Sequence, residues 1–143
     1  MENDISMLQS VRKATQMGRY GIQSVINETC SRSLRGALRS QLSEYNQLFT
    51  EADTLLKERG AQRKNVNPMA KLGAFMNAKM KVRSSLDPTS AIAEMLVQGN
   101  TRGMIKSMNN IRTMGVLDPK VSCLSGRLLQ TEQANIDQMK QYL

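Results

Sequence analysis

Apolar residues return at alternating steps of four and three along five stretches of the chain, the spacing that places them on one face of an α-helix. The clearest stretch is Leu38 to Leu56, where Leu38, Leu42, Tyr45, Phe49, Ala52 and Leu56 form a stripe suited to lying lengthwise in a bundle. Before it, Leu8, Val11, Thr15, Gly18, Ile22, Val25 and Thr29 predict a helix over residues 4–29, with Asp4 or Asn3 as its cap. Gly18, in mid-stripe, predicts a close helix contact. The phase changes between Glu28 and Ser33, where Ser31 or Ser33 can cap a second helix over residues 32–59, antiparallel to the first and ended by Gly60.

After a polar loop, Asn67 and Pro68 open a third helix over residues 68–86. The same cap-plus-proline signal recurs at Asp87–Pro88 and Asp118–Pro119, predicting helices over 88–114 and 119–142 with Gly115 between them. The fourth carries the stripe Ala93, Val97, Asn100, Met104, Met108 and Ile111; the fifth carries Val121, Leu124, Leu128, Glu132, Ile136, Met139 and Leu143. The four long helices pair as two short-looped hairpins. The helix between them is 19 residues long and spans roughly 28 Å at ~1.5 Å per residue, nearly the length of the bundle. Such a crossover returns the chain to its starting end and makes the second and fourth helices parallel. The expectation is one all-α domain over residues 1–143; up-down five-helix packing is the alternative.

Composition adds detail. With 40% hydrophobic residues, eleven Met, two Phe and no Trp, the core is expected to be aliphatic and Met-filled. No apolar run approaches the ~20 residues needed to cross a bilayer. The opening segment MENDISMLQS has acid where a signal peptide has positive charge. The expectations are no integral membrane segment and a cytoplasmic location.

The hairpin layout, together with QLSEYNQLFTEADTLL, SAIAEMLVQGN and TEQANIDQMKQYL, resembles small, uncharacterised bacterial members of the ferritin-like superfamily. The resemblance implies a ferritin-like four-helix bundle. It also implies a paired-metal site built from Glu on two helices and Glu-x-x-His on the other two. This chain has no His. Glu44-x-x-Gln47 and Glu132-x-x-Asn135 are the places where such motifs could be read, with Glu28 and Glu94 as the single carboxylates. On a helical wheel Gln47 falls nearly opposite the Leu42, Tyr45, Phe49 stripe, and Glu28 and Glu94 lie at stripe margins near helix ends. Glu44 and Glu132 thus remain the weak metal candidates. The expectation is neither metal nor other cofactor, with these carboxylates solvated.

Counting outward from the two hairpin turns brings Thr15, Tyr45, Asn100 and Glu132 to one depth near mid-bundle. The expectation is a buried polar layer in which the Tyr45 hydroxyl and the Asn100 amide donate to Glu132 while Thr15 completes the network. A buried carboxylate needs such donors or a raised pKa.

Other chemistries have little footing. Cys30 and Cys123 fall at opposite ends of the bundle and are expected to be reduced, structural thiols. Phosphate-binding glycine loops and paired catalytic carboxylates are absent, and nucleophile–His pairs are impossible. Charge is concentrated instead. From Lys57 to Arg83 there are eight basic residues against one acid, so seven of the eight net positive charges lie in the loop and crossover. Arg63, Lys64, Lys71, Lys79, Lys81 and Arg83 form a basic patch that could meet nucleic-acid phosphates or an acidic partner. The competing expectation is a crossover burying Leu72, Phe75, Met76, Val82 and Leu86, with Lys71 and Lys81 in water and the stems of Lys79 and Arg83 across apolar surface. Two function classes result: a non-catalytic structural or interaction bundle that self-associates, or a metal-handling ferritin-like protein.

Overall fold

The computed structural model describes residues 1–143, the side chain of Leu72 apart. Five α-helices make up the chain: α1 (Glu2–Val25), α2 (Arg32–Glu58), α3 (Pro68–Arg83), α4 (Pro88–Met114) and α5 (Pro119–Met139). Short 3-10 turns extend α1 and α5. Four starts follow from the local sequence. Ser31 accepts the amide of Leu34, Asn67 those of Met69 and Ala70, Asp87 that of Ser90, and Asp118 that of Lys120. Gly60 and Gly115 have φ of 64° and 72°, the left-handed region that glycine enters without strain. The first helix departs from expectation. It begins at Glu2 without a side-chain cap. Asn3 instead donates to the Met114 carbonyl, and Asp4 accepts from the Asp118 amide, so both bind the α4–α5 turn.

Those bonds also define the topology. α1 runs antiparallel to α2, through Arg12–Asp53 and Arg19–Asn46, and to α4, through Asn110–Ser10. α5 is antiparallel to α2, through Gln41–Gln138 and Arg127–Glu51, and to α4, through Ser107–Glu132. Consequently α2 and α4 are parallel and lie diagonally opposite. The chain is an all-α, ferritin-like four-helix bundle of two hairpins joined by a helical crossover. The crossover α3 rests on α1 and α4.

Its approach is stitched to α1. The Arg12 guanidinium donates to the Lys64 carbonyl, to Asn65 and to Asp53, and lies over the Phe49 ring. Gln16 accepts the Val66 amide, and Gln9 donates to the Gln62 carbonyl. At the far end Val82 is 2% exposed inside an apolar cluster, and Glu28 receives both Arg83 and Lys79. Between these anchors α3 is thinly packed. Phe75 is half-buried, edge-on to Tyr20 with centroids 6.1 Å apart, while Met76 and Leu86 stand exposed against expectation. The expected packing of the Leu72 side chain lies outside the described residues.

The interior is divided. One apolar cluster, near the α1–α2 turn, joins Ile22, Val25, Leu34, Leu38, Ile92, Leu96 and Met139. A second, near the α4–α5 turn, joins Met7, Leu8, Val11, Leu48, Leu56, Val121 and Leu128. The stripes expected on α1, α2 and α5 largely face these clusters, though Leu42 and Phe49 are only half-buried and Leu143 is exposed. That of α4 is rotated: Ile92, Ala93, Leu96, Asn100 and Ser107 point inward, whereas Ile105, Met108 and Ile111 face solvent.

The uneven packing of α3 can be checked. A Phe fully buried in a core loses about 3–5 kcal/mol on truncation, so half-buried Phe75→Ala should lose only about 1–2 kcal/mol. Val82→Ala, which strips two methyl groups from the apolar cluster, should lose about 2–3 kcal/mol. Urea midpoints at equal m-values would reveal the order, and a larger loss at Phe75 would contradict this packing.

Candidate functional site

Between the two apolar clusters lies a band of buried polar side chains from all four long helices. Thr15, Tyr45, Asn100 and Glu132 are each no more than 7% exposed, and Gln16, Gln41, Ser107 and Asn135 are buried beside them. Tyr45 is central. Its hydroxyl donates to Asn100 Oδ1 at 2.8 Å and accepts from Asn135 Nδ2 at 3.2 Å, joining α2 to α4 and α5. Asn100 spends its own amide protons on the Leu96 carbonyl one turn back. Burial, the largest influence, pushes the Tyr45 phenol up to about 12; the Asn135 hydrogen bond opposes this and the Glu132 charge adds to it.

Glu132 has a different partner from the one expected. Ser107 donates to its Oε1 at 2.7 Å, and no hydrogen bond among the described residues joins it to Tyr45, Asn100 or Thr15. Desolvation raises its carboxyl from the usual 4.5 to about 7, with the Ser107 bond pulling the other way. Thr15 does not complete the network either. Its hydroxyl donates back to the Val11 and Arg12 carbonyls of its own helix, a common way to satisfy a buried threonine. The layer is therefore two units: a Tyr45–Asn100–Asn135 knot and a Ser107–Glu132 pair.

Two glycines make room for them. A Cβ on Gly18 would lie 2.6 Å from Tyr45 Cζ and 2.7 Å from its Cε2, so the ring occupies the space that a side chain at 18 would fill. The close contact read from Gly18 is thus made with Tyr45. A Cβ on Gly103 would run into the Glu132 carboxylate.

The other candidate residues are dispersed. Glu44 is half-exposed on α2, Glu94 is exposed on α4, and Glu28 is occupied by Lys79 and Arg83. Among the described residues, no three His, Cys, Asp or Glu side chains converge as metal ligands would. The basic patch is partly neutralised within the fold. Arg63 is 3.7 Å from Asp53, Arg83 is 3.1 Å from Glu28, and Lys71 Nζ lies 3.2 Å from the Tyr20 ring centre. Lys64 and Lys81 project into solvent. Cys30 and Cys123 are free and exposed.

Ser107 and Gly103 were missed in the sequence, and Asn135 was read there as part of a metal motif and not as a partner of Tyr45. Asn135 lies three residues after Glu132, on the same helical face, and Ser107 lies seven after Asn100, two turns along the inward face.

No protein-family model matches the chain, and no curated protein matches it significantly. Solved structures do. YcfI, a proposed structural protein from Rhodopseudomonas palustris, superposes with a TM-score of 0.74 at 20% identity, covering 94% of this chain and 90% of its own. The E. coli stress protein YciF superposes with a TM-score of 0.67 at 17% identity, covering 96% of this chain and 90% of its own. At these identities the likeness establishes the fold.

The layer generates predictions of two kinds, on packing and on pH. Tyr45→Phe leaves the Asn100 oxygen and the Asn135 amide short of a buried partner and should cost about 1–3 kcal/mol. Gly18→Ala gains about 1 kcal/mol of helix propensity but displaces the packed ring, so net destabilisation is expected; a stabilised variant would contradict the contact. The second concerns pH. The folded carboxyl at Glu132 holds its proton to about 7 and the unfolded one to about 4.5. Between those values the native state binds more protons, and stability falls as pH rises. At ~1.36 kcal/mol per unit this contributes a loss of up to about 3 kcal/mol above neutrality. Glu132→Gln should flatten the fall, as seen in urea midpoints from acid to alkaline pH; an unchanged slope would reassign it.

Proposed function

We propose that the chain is a non-catalytic structural or interaction bundle in which hydrogen-bonding side chains fill the depth where ferritin-like proteins keep a metal pair. One observation carries this reading: the Tyr45–Asn100–Asn135 knot spans three helices with neutral groups only. A paired-metal centre needs several carboxylate or imidazole ligands at one depth. Here Glu132 is the buried carboxylate, its neighbours are amides and hydroxyls, and the chain has no His. The structural role proposed for YcfI is in keeping with this reading.

Three finer features belong to the same reading. The chain is cytoplasmic, since exposed free thiols at Cys30 and Cys123 suit a reducing compartment; no helix among the described residues is long and apolar enough to cross a membrane. It self-associates through the outer face of α4, where Met104, Met108 and Ile111 form an apolar stripe. Its basic crossover meets polyanions by charge alone, because the exposed Lys64 and Lys81 come with no base-reading element.

Elemental analysis tests the central claim. Protein expressed with added iron and manganese should contain far less than one metal per chain, and stoichiometric metal would establish a metal-handling function instead. Labelled duplexes should bind weakly, without sequence preference, and dissociate as salt rises. Sequence-selective or salt-independent binding would contradict the charge-only account.

A further inference from the structure

Beneath the crossover, α1 and α4 part to leave a groove of about 820 Å³, within the range of small-molecule sites. α3 roofs it with Ala74, Phe75 and Ala78, and Tyr45, Asn100 and Glu132 form its floor. Glycine recurs along its walls. Gly18, Gly21, Gly99 and Gly103 all line it, and a Cβ on Gly99 would meet nothing within 4 Å.

The groove's chemistry is sorted by depth. At the floor, Glu132 is 3% exposed and spends Oε1 on Ser107, while its Oε2 has no partner among the described residues. Gln41, also 3% exposed and lining the groove, has a buried Oε1 without a hydrogen bond. Both can accept, so the floor suits a ligand that brings a hydrogen-bond donor. The walls are apolar, with Met17, Ile22, Met95, Leu96 and Phe75, and methionine sulfur favours the edges of aromatic rings. Exposed Lys13, Arg102 and Lys106 stand at the rim, in no ion pair among the described residues. Arg102 and Lys106 flank Gly103, the residue that faces the Glu132 carboxylate, so the cationic rim and the acceptor floor are about one helical turn apart.

We propose that this groove binds a small aromatic organic anion carrying a hydroxyl at its buried end: the acid group meets Lys13, Arg102 and Lys106, the ring lies between the methionines, and the hydroxyl donates to Glu132. A neutral hydroxyl suits the floor better than an ammonium group, which must pass a cationic rim and shed more water.

The test uses 4-hydroxyphenylacetate, with phenylacetate and tyramine as comparators, followed by amide chemical shifts in the full chain. Millimolar 4-hydroxyphenylacetate should shift the amides of Gly18, Gly99 and Gly103. Phenylacetate should bind about tenfold more weakly or worse, because it leaves the buried acceptor unpaired. Tyramine should not bind. Arg102→Ala with Lys106→Ala should weaken binding, and Glu132→Gln should erase the preference for the hydroxyl. Gly99→Leu is the variant that keeps the fold: it fills open space and raises helix propensity, so thermal stability should be retained or improved while binding is lost. Binding that survives Gly99→Leu, tyramine binding at least as tightly, or shifts confined to surface lysines would each overturn the proposal, as would silence at all three glycines.

Discussion

The Tyr45 hydroxyl is the contact on which the middle of this bundle depends. It donates to one helix and accepts from another while its ring lies against the bare backbone of a third at Gly18. Leucine-rich helix faces pack acceptably in several registers, since one aliphatic contact resembles the next. A slip of one turn, about 5.4 Å, would push the hydroxyl into either apolar cluster, where its desolvation would go unrepaid. The knot therefore rejects wrong alignments more than it stabilises the right one, the role best attested for buried polar groups in helical assemblies.

How much of this was legible depended on what each helix buries. α2 and α5 bury mostly apolar side chains, and a count of apolar spacing finds their inward faces directly. α4 defeats the count because its inner face, apolar at Ile92, Ala93 and Leu96, continues as Asn100, Gly103 and Ser107, residues small or polar enough to accommodate Glu132. Ile105, Met108 and Ile111, left outside, then advertise the wrong side. The depth of Tyr45 and Asn100 could be counted from the turns, and they do bond. The partners of Glu132 and Thr15 could not, since a side chain's choice between its own backbone and a neighbour is settled by distances of a few tenths of an ångström. The same holds for Asn3 and Asp4, whose cap-forming chemistry is used across the bundle.

YcfI and YciF share the path of the helices with this chain at 20% and 17% identity. The bundle gives all four long helices one depth at which to present polar groups. In this chain that depth carries amides, hydroxyls and one carboxyl titrating near neutrality. The scaffold supplies the meeting point and the side chains decide the chemistry.

The most buried and the most exposed methionines have different chemical fates. Met7 and Met139 lie inside the apolar clusters at 2% and 0% exposure, whereas Met69 and Met80 on α3 are 79% and 65% exposed. Conversion to the sulfoxide turns an apolar thioether into a polar group, which ruins packing in a core and costs little in water. Peroxide arriving from solution therefore meets first the sulfurs whose oxidation the fold can absorb. Oxidation on the thinly packed crossover therefore leaves the packing of the bundle's interior intact.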